Sequence, residues 1–339
     1  MAKAKEIEGL DCHASAMTGI RLVLLTRLSE VCEFRAAALD WSSMSGVHDM
    51  RVASRRLRSV LRDFQPYLSE KVRQRRLREL ARALGSVRDE DVAIAALEAL
   101  IEEAPEEARA GLNEIIEERR RKREGAREAL KGGIGETEVT ALREKLAARV
   151  EQATQGRAGA AEGASDKGSG GKSFHDVGRE LILKSLGEFL SLGASLYRPF
   201  EVEPLHQMRI AAKRLRYALE LFSACWGEAL HAFAEEVAKM QGSLGDLHDA
   251  DVWIEDFGQR LSRGAAEQSA PDSARIAAVW LLEHFMKERT RHYRHALTRW
   301  CEWEQTNFAS RLKETLSEKA AKEKATESAE PEPTISSPS

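Results

Sequence analysis

One 18-residue stretch occurs twice in this chain. Val47–Phe64 reads VHDMRVASRRLRSVLRDF, and Leu205–Phe222 reads LHQMRIAAKRLRYALELF. Aligned without gaps, 9 of the 18 positions are identical. A repeat this long implies that the chain builds the same unit twice. Both copies lack Gly and Pro and have helical apolar spacing. At about 100° per residue, Met50, Ala53, Leu57, Val60, Leu61 and Phe64 fall on one side. His48, Arg51, Arg55, Arg58 and Arg62 fall on the other, with Arg56 on the flank. In the second copy Met208, Ala211, Leu215, Leu219 and Phe222 face one way. His206, Arg209, Lys213 and Arg216 face the other, with Arg214 on the flank.

The apolar sides need a core. The basic sides need an explanation, because like charges three and four residues apart repel on a helix. Each stripe carries a net charge of +3. A single charge run is usually a solvated face, but the recurrence of the same stripe, led by the same His, favours a repeated anion.

The remainder of the chain reads as helical. Its 339 residues can bury a large core, and 32% charged with only 6% aromatic residues leaves few strand-like runs. A first helix is expected from about 15 to 39, and the basic helix from about Ser45 with Pro66 just past its end. A third helix at about 68–84 carries Arg75, Arg78 and Arg82, which extend the basic surface or face solvent. The step LGSVRDEDV, Leu84–Val92, returns as LGDLHDADV, Leu244–Val252. Gly85 and Gly245 suit helix C-termini, and Ser86 and Asp246 suit caps opening a new helix. Asp89, Asp91, Asp249 and Asp251 are spaced by two and diverge by about 200° on a helix. They are expected to cap or to hold stripe arginines by salt bridges rather than to share a metal. Later helices at about 105–131 and 272–308 carry weaker basic rows, Arg120, Arg123 and Arg127, and His284, Lys287, Arg291 and Arg294.

The Gly/Ala/Ser stretch 155–173 divides the chain as a linker. Two bundles are expected, 15–154 and 174–310, with an unstructured low-complexity tail over 317–339. Cys12, Cys32, Cys225 and Cys301 form no C-x-x-C and read as buried reduced thiols of a cytoplasmic protein. The opening MAKAKEIEGLD does not read as a signal peptide, and no run approaches a membrane span.

The chemistry narrows by motif. The chain has no Walker loop, H-E-x-x-H or G-x-S-x-G. His48 and His206 together could bind a metal, but nothing supplies the other ligands; neither metal nor cofactor is expected. Each His reads better as a hydrogen-bond donor to an anion. Single-strand nucleic-acid binders interleave aromatics with basic residues, and duplex readers add Asn or Gln. These stripes lack both on the basic face, Tyr217 excepted, so nucleic acid is not the expected partner. A row of phosphates needs only what is present.

The doubled H-x-x-R-x-x-x-[RK]-R-L-R helix, each copy followed by L-G-x-x-x-D-x-D-V, resembles the CHAD family, the conserved histidine α-helical domain. The resemblance covers about 15–308. It implies an all-α protein of two similar antiparallel bundles related by pseudo-two-fold symmetry around a basic cleft. It implies binding of inorganic polyphosphate and association with polyphosphate granules and their enzymes. The family's basic positions carry over onto His48, Arg51, Arg55, Arg56 and Arg58, and onto His206, Arg209, Lys213, Arg214 and Arg216. Glu220 stands where the first copy has Arg62, a departure at the end of the second stripe. Some relatives are fused to a CYTH-type triphosphatase domain, of which this chain shows no sign. A binding protein rather than an enzyme is expected. The alternatives are an enzyme, or an enzyme's partner, in phosphate-polymer turnover, and a nucleic-acid-binding module.

Overall fold

The buried side of the repeated helix sets the architecture. In a computed structural model, the backbone is described over residues 4–161, 171–267 and 272–327, and side chains over 4–155, 171–264 and 272–317. Eleven α-helices lie in these residues: α1 (Ala16–Glu33), α2 (Arg35–Ala38), α3 (Ser45–Asp63), α4 (Arg75–Ala99), α5 (Glu106–Gly133), α6 (Glu136–Ala161), α7 (Phe174–Leu190), α8 (Val202–Trp226), α9 (Glu228–Glu267), α10 (Asp272–Gln305) and α11 (Phe308–Glu327). Among the described residues the only β feature is an isolated bridge between Ser15 and Ser173. The protein is all-α, as expected.

Two compact units form. The first is Met1–Val177 with Leu247–Arg291; the second is Gly178–Asp246 with His292–Ser339. The boundary thus falls inside α7, α9 and α10 rather than at the glycine-rich stretch. In the first unit α1 packs on α3 and α6, and α4 packs on α3 and α5. Met50, Ala53, Leu57, Leu61 and Phe64 of α3 are fully buried, with Ile20, Val23 and Leu24 of α1. A further apolar cluster explains why 247–291 belongs here. Leu97, Leu112, Ile115 and Ile116 pack with Phe257, Leu281 and Phe285. The Trp253 ring stacks on Phe257 at 5.4 Å and on Phe285 at 5.0 Å. Arg119 reaches Asp256 at 2.6 Å and Arg260 reaches Glu118 at 2.8 Å, tying α5 to α9. The Arg260 hydrogen bond holds the Glu118 carboxyl down at about 2.

In the second unit Met208, Ala212, Leu215, Leu219 and Phe222 of α8 are buried with Ile182, Phe189, Val237 and Met240. Trp303 and Phe308 stack at 3.9 Å, and Phe189 lies 5.8 Å from Trp303. The apolar sides read from both repeats are therefore the core sides.

Several boundaries differ from expectation. The first helix ends at Glu33 and is followed by the short α2. The stretch before α4 is a 3-10 turn, Gln65–Tyr67, and a loop, so the third helix starts later, at Arg75. Gly85 and Gly245 end nothing: α4 and α9 run straight through them. Ser86 does not cap; its hydroxyl donates back to the Arg82 carbonyl at 3.2 Å. A mid-helix Gly costs about 1 kcal/mol relative to Ala, and the packing on both sides outweighs it. The helix α6 continues to Ala161, into the expected linker, and α11 continues to Glu327, into the expected tail. Residues 162–170 and 328–339 of those two stretches lie outside the described residues. The end of the linker is tied down, with Phe174 N donating to Ala14 O at 3.0 Å and Ala16 N to Lys172 O at 2.9 Å. The cysteines also depart from expectation. Cys12 in the first unit and Cys225 in the second are each oxidised to a disulfide, whereas Cys32 and Cys301 are free and only half-buried.

One glycine sets a close approach. A Cβ on Gly46, at the start of α3, would lie 1.9 Å from the Ala37 carbonyl oxygen of α2. Backbone cannot retreat as a side chain would. Gly46→Ala is expected to cost about 1–3 kcal/mol in urea unfolding. Gly125→Ala, where nothing lies within 4 Å of the added carbon, is expected to stabilise by about 0.4–1 kcal/mol. Equal effects would show that the α2–α3 approach is not tight.

Candidate anion-binding site

The outward side of α3 meets the outward side of α4. Arg58 is half-buried at this seam. Its guanidinium is pushed below its ordinary pKa first by burial, then by Arg78, Arg55, Arg62 and Arg82. Five arginines from two helices thus crowd together. Among the described residues Arg55, Arg58, Arg78 and Arg82 make no ion pair, while Arg62 is held by Asp63 at 2.8 Å. The helix period of α3 and the three-to-four spacing of α4 put them there.

His48 opens the stripe. Burial, then Arg88, hold its imidazole below its usual value, with Arg51 adding to this and Asp49 opposing it. Arg88 was not singled out from the sequence. It lies inside the LGSVRDEDV step, where the second copy carries His248. A cation-capable residue at that place in both steps was the available signal.

Of the step carboxylates, Asp89 pairs with a stripe arginine, whereas Asp91 and Asp251 pair with arginines of α5 and α10. Asp89 bonds Arg51 of α3 at 2.9 Å. Asp91 points the other way, buried, with Arg123 and Arg127 of α5 at 3.8 Å each. Burial raises the Asp91 pKa, against the pull of Arg127, Arg123 and Arg88. Asp251 bonds Arg289 at 2.5 Å.

The expected row on α5 is largely spent inside the protein. Arg120 is bracketed by Glu98 and Glu117, both at 2.5 Å. Arg123 and Arg127 share Glu124, at 3.3 and 3.0 Å, as well as Asp91. Arg127 also lies over the Trp41 ring at 5.1 Å. The row on α10 divides too. Lys287 pairs with Glu283 at 2.7 Å, Arg291 pairs with Glu288, and His284 packs against Trp280 and Phe285. Arg294 is exposed and makes no ion pair among the described residues. These rows were read from the spacing of the cations alone, without weighing the acids one turn away on the same helix, and acids on a neighbouring helix lie beyond spacing altogether.

In the second unit, α8 presents His206, Arg209 and Lys213 half-buried. The Arg209 Nε would lie 3.9 Å from a Cβ on Gly245. Arg216, the counterpart of Arg58, is buried; it bonds Glu220 at 2.9 Å and lies over Tyr217 at 5.5 Å. The Glu220 departure thus neutralises the end of the second stripe.

Arg56 is a correction. It turns inward and bonds Glu30 of α1 at 3.3 Å, and Glu30 also holds Arg27 at 3.0 Å. All three side chains are buried. Its counterpart Arg214 bonds Glu188 of α7, also at 3.3 Å. Both partners are displaced by the same 158 residues, so the repeat reaches back to α1 and α7. Arg56 and Arg214 thus tie α3 and α8 to the preceding helices α1 and α7. Glu30→Ala leaves two buried cations facing each other and is expected to cost about 3–5 kcal/mol. Glu188→Ala, at a pair more than a third exposed, is expected to cost no more than about 1 kcal/mol. Chemical denaturation of both variants checks the contrast.

Among the described residues no group of three or more His, Cys, Asp or Glu side chains could hold a metal ion. No helix there is long and apolar enough to cross a membrane.

The chain matches the family model of the CHAD domain over residues 23–257. Among solved structures it is similar to the CHAD domain from the plant Ricinus communis, with a TM-score of 0.70 and 22% sequence identity. That match covers 87% of this chain and 94% of the plant chain, and at this identity it bears on the fold. No curated protein gives a significant match. The matched span holds α3, α4, α8 and both copies of the histidine–arginine stripe, and the chain belongs to the CHAD-domain family.

Proposed function

We propose that this protein binds inorganic polyphosphate, with Arg55, Arg58, Arg78 and Arg82 as the main contact of the first unit. One observation carries the reading: arginines from two helices crowd around Arg58, and among the described residues no carboxylate pairs with four of the five. Such crowding is unfavourable until an anion arrives. Phosphate oxygens accept several short charge-assisted hydrogen bonds, and guanidinium suits them geometrically. His48 adds a donor beside the row, and His206, Arg209 and Lys213 offer the second unit's contribution.

A polymer gathers many modest contacts at high effective concentration. Affinity therefore rises with chain length. The site holds and does not cleave, and association with polyphosphate granules in the cytoplasm follows from holding. Among the described residues none of Arg55, Arg58, Arg62, Arg78 and Arg82 is seen over an aromatic ring, unlike Arg119, Arg127, Arg216 and Arg311, which favours phosphate over stacked bases.

Calorimetric titration with chains of graded length tests this. Long chains should bind far more tightly than orthophosphate, and binding should weaken steeply with salt as counterions are released. Equal affinity for both would overturn the reading. Each charge-assisted contact contributes about 1.5–3 kcal/mol, so Arg55→Gln with Arg58→Gln should weaken binding by about a hundredfold or more without lowering the melting temperature. No release of phosphate is expected, with or without Mg²⁺. Oligonucleotides at physiological salt should fail to displace the polymer.

Binding should also depend on pH. In the free protein the His48 pKa is depressed, so the imidazole is neutral at pH 7. A bound polyanion raises that pKa, and binding takes up a proton. Affinity should strengthen as pH falls below the ordinary His value of about 6.5, by up to about tenfold per pH unit. Without ligand the sign reverses: the free protein loses stability over the same fall, because the unfolded chain takes the proton first. His48→Gln should remove its part of both effects. An unchanged pH profile in that variant would remove His48 from the site.

A further inference from the structure

A second basic concavity lies away from the Arg58 seam, where the start of α4 meets α6. Its volume is about 280 Å³, and it is lined by Arg73, Gln74, Arg75, Arg76, Lys145 and Arg149 over the side chains of Leu77, Leu142 and Leu146. Five cations line it and no carboxylate does. The three leucines are buried and give it an apolar floor. The walls are fixed to each other. Arg149 donates to the Arg73 carbonyl at 3.4 Å, and Ser69, before α4, bonds the Ala153 carbonyl of α6 through its amide at 3.0 Å and its hydroxyl at 2.9 Å.

The arrangement opposes the helix it sits on. No side chain caps α4 at Gln74, and its first turn holds no acid. The amides of Arg75, Arg76 and Leu77 have no intrahelical partner, and all three residues line the cavity. The positive end of the helix dipole meets two arginines of its own first turn, with Arg73, Lys145 and Arg149 beside them. Arg75 is partly offset by Glu79 at 2.9 Å, an exposed pair. Nothing lining the cavity offsets the other four. Helix amides, guanidinium groups and an ammonium around one small space form an anion cradle.

We propose that this cavity is a separate binding site for a compact phosphate anion. Its volume sits just below the range of roughly 300–1,000 Å³ typical of small-ligand pockets, which suits one or a few linked phosphates rather than a long segment. The anion is either a free condensed phosphate or the end of a polymer held elsewhere on the protein. The site stands whether or not the Arg58 surface binds polyphosphate, because it shares no lining residue with that surface.

The test uses the full chain and two probes, inorganic tripolyphosphate and long polyphosphate, in calorimetry. Arg76→Gln with Lys145→Gln is the site variant, and Arg55→Gln with Arg58→Gln the control. Neither site substitution removes a buried group, and melting curves of both proteins check the fold. The site variant should lose one tripolyphosphate-binding event, or weaken it tenfold or more. The control should keep that event. A loss for both probes in the site variant assigns the cavity to polymer ends; a loss for tripolyphosphate alone assigns it to free condensed phosphates. Unchanged tripolyphosphate binding in the site variant overturns the inference. A control that loses long polyphosphate while keeping the tripolyphosphate event separates the two sites. Long polyphosphate failing to bind wild-type protein, with the tripolyphosphate event retained, would sink the functional reading and leave this one standing.

Discussion

Burial of one side of α3 and one side of α8 is the constraint from which the rest follows. Each helix presses an apolar face into its own unit's core, where Met50, Leu57, Leu61 and Phe64, and Met208, Leu215, Leu219 and Phe222, are buried. Sealing those faces fixes the rotation of each helix about its axis. The opposite residues then have no freedom to point elsewhere, and the basic stripe becomes a surface. Side chains such as Leu57 bury about 1.5–3 kcal/mol each relative to exposure, far more than the repulsion between neighbouring exposed guanidinium groups. Hydrophobic packing can therefore hold like charges together that would otherwise separate.

The two copies use this constraint differently. Both anchor the helix by the same device, an arginine turned to a glutamate on the preceding helix: Arg56 to Glu30, and Arg214 to Glu188. They part company one turn further on. Arg58 has Arg62 beside it and stays crowded by like charge, whereas the buried Arg216 is paired with the exposed Glu220. One change of sign at equivalent positions, Arg62 and Glu220, separates a crowd of like charges from an arginine with its own carboxylate.

Much of this was legible in the sequence. Periodicity and repetition gave the fold class, the inward faces of α3 and α8, and the divergence of Asp89 from Asp91. Three kinds of information were not legible. Helix continuity through Gly85 and Gly245 depends on packing that local propensity does not report. The pairing of Arg120 with Glu98, and of Arg123 and Arg127 with Asp91, depends on a neighbouring helix, whereas Glu117, Glu124, Glu283 and Glu288 lie one turn from their partners and were readable. The roles of Glu30, Glu188 and Arg88 depend on which helices touch. The glycine-rich stretch divides the sequence, yet Phe257, Leu281 and Phe285 pack with α4 and α5, so packing units and sequence halves do not coincide.

The unbroken passage of α4 has one more consequence. A helix without a hinge is a ruler. Arg75, at the edge of the cavity against α6, and Arg82, in the Arg58 cluster, are separated by about 10 Å along a single axis. That interval cannot be shortened by a local bend. Only the side chains of Arg75 and Arg82, not the backbone between them, can close that distance. The backbones that carry these two basic groups are thereby held in one fixed register.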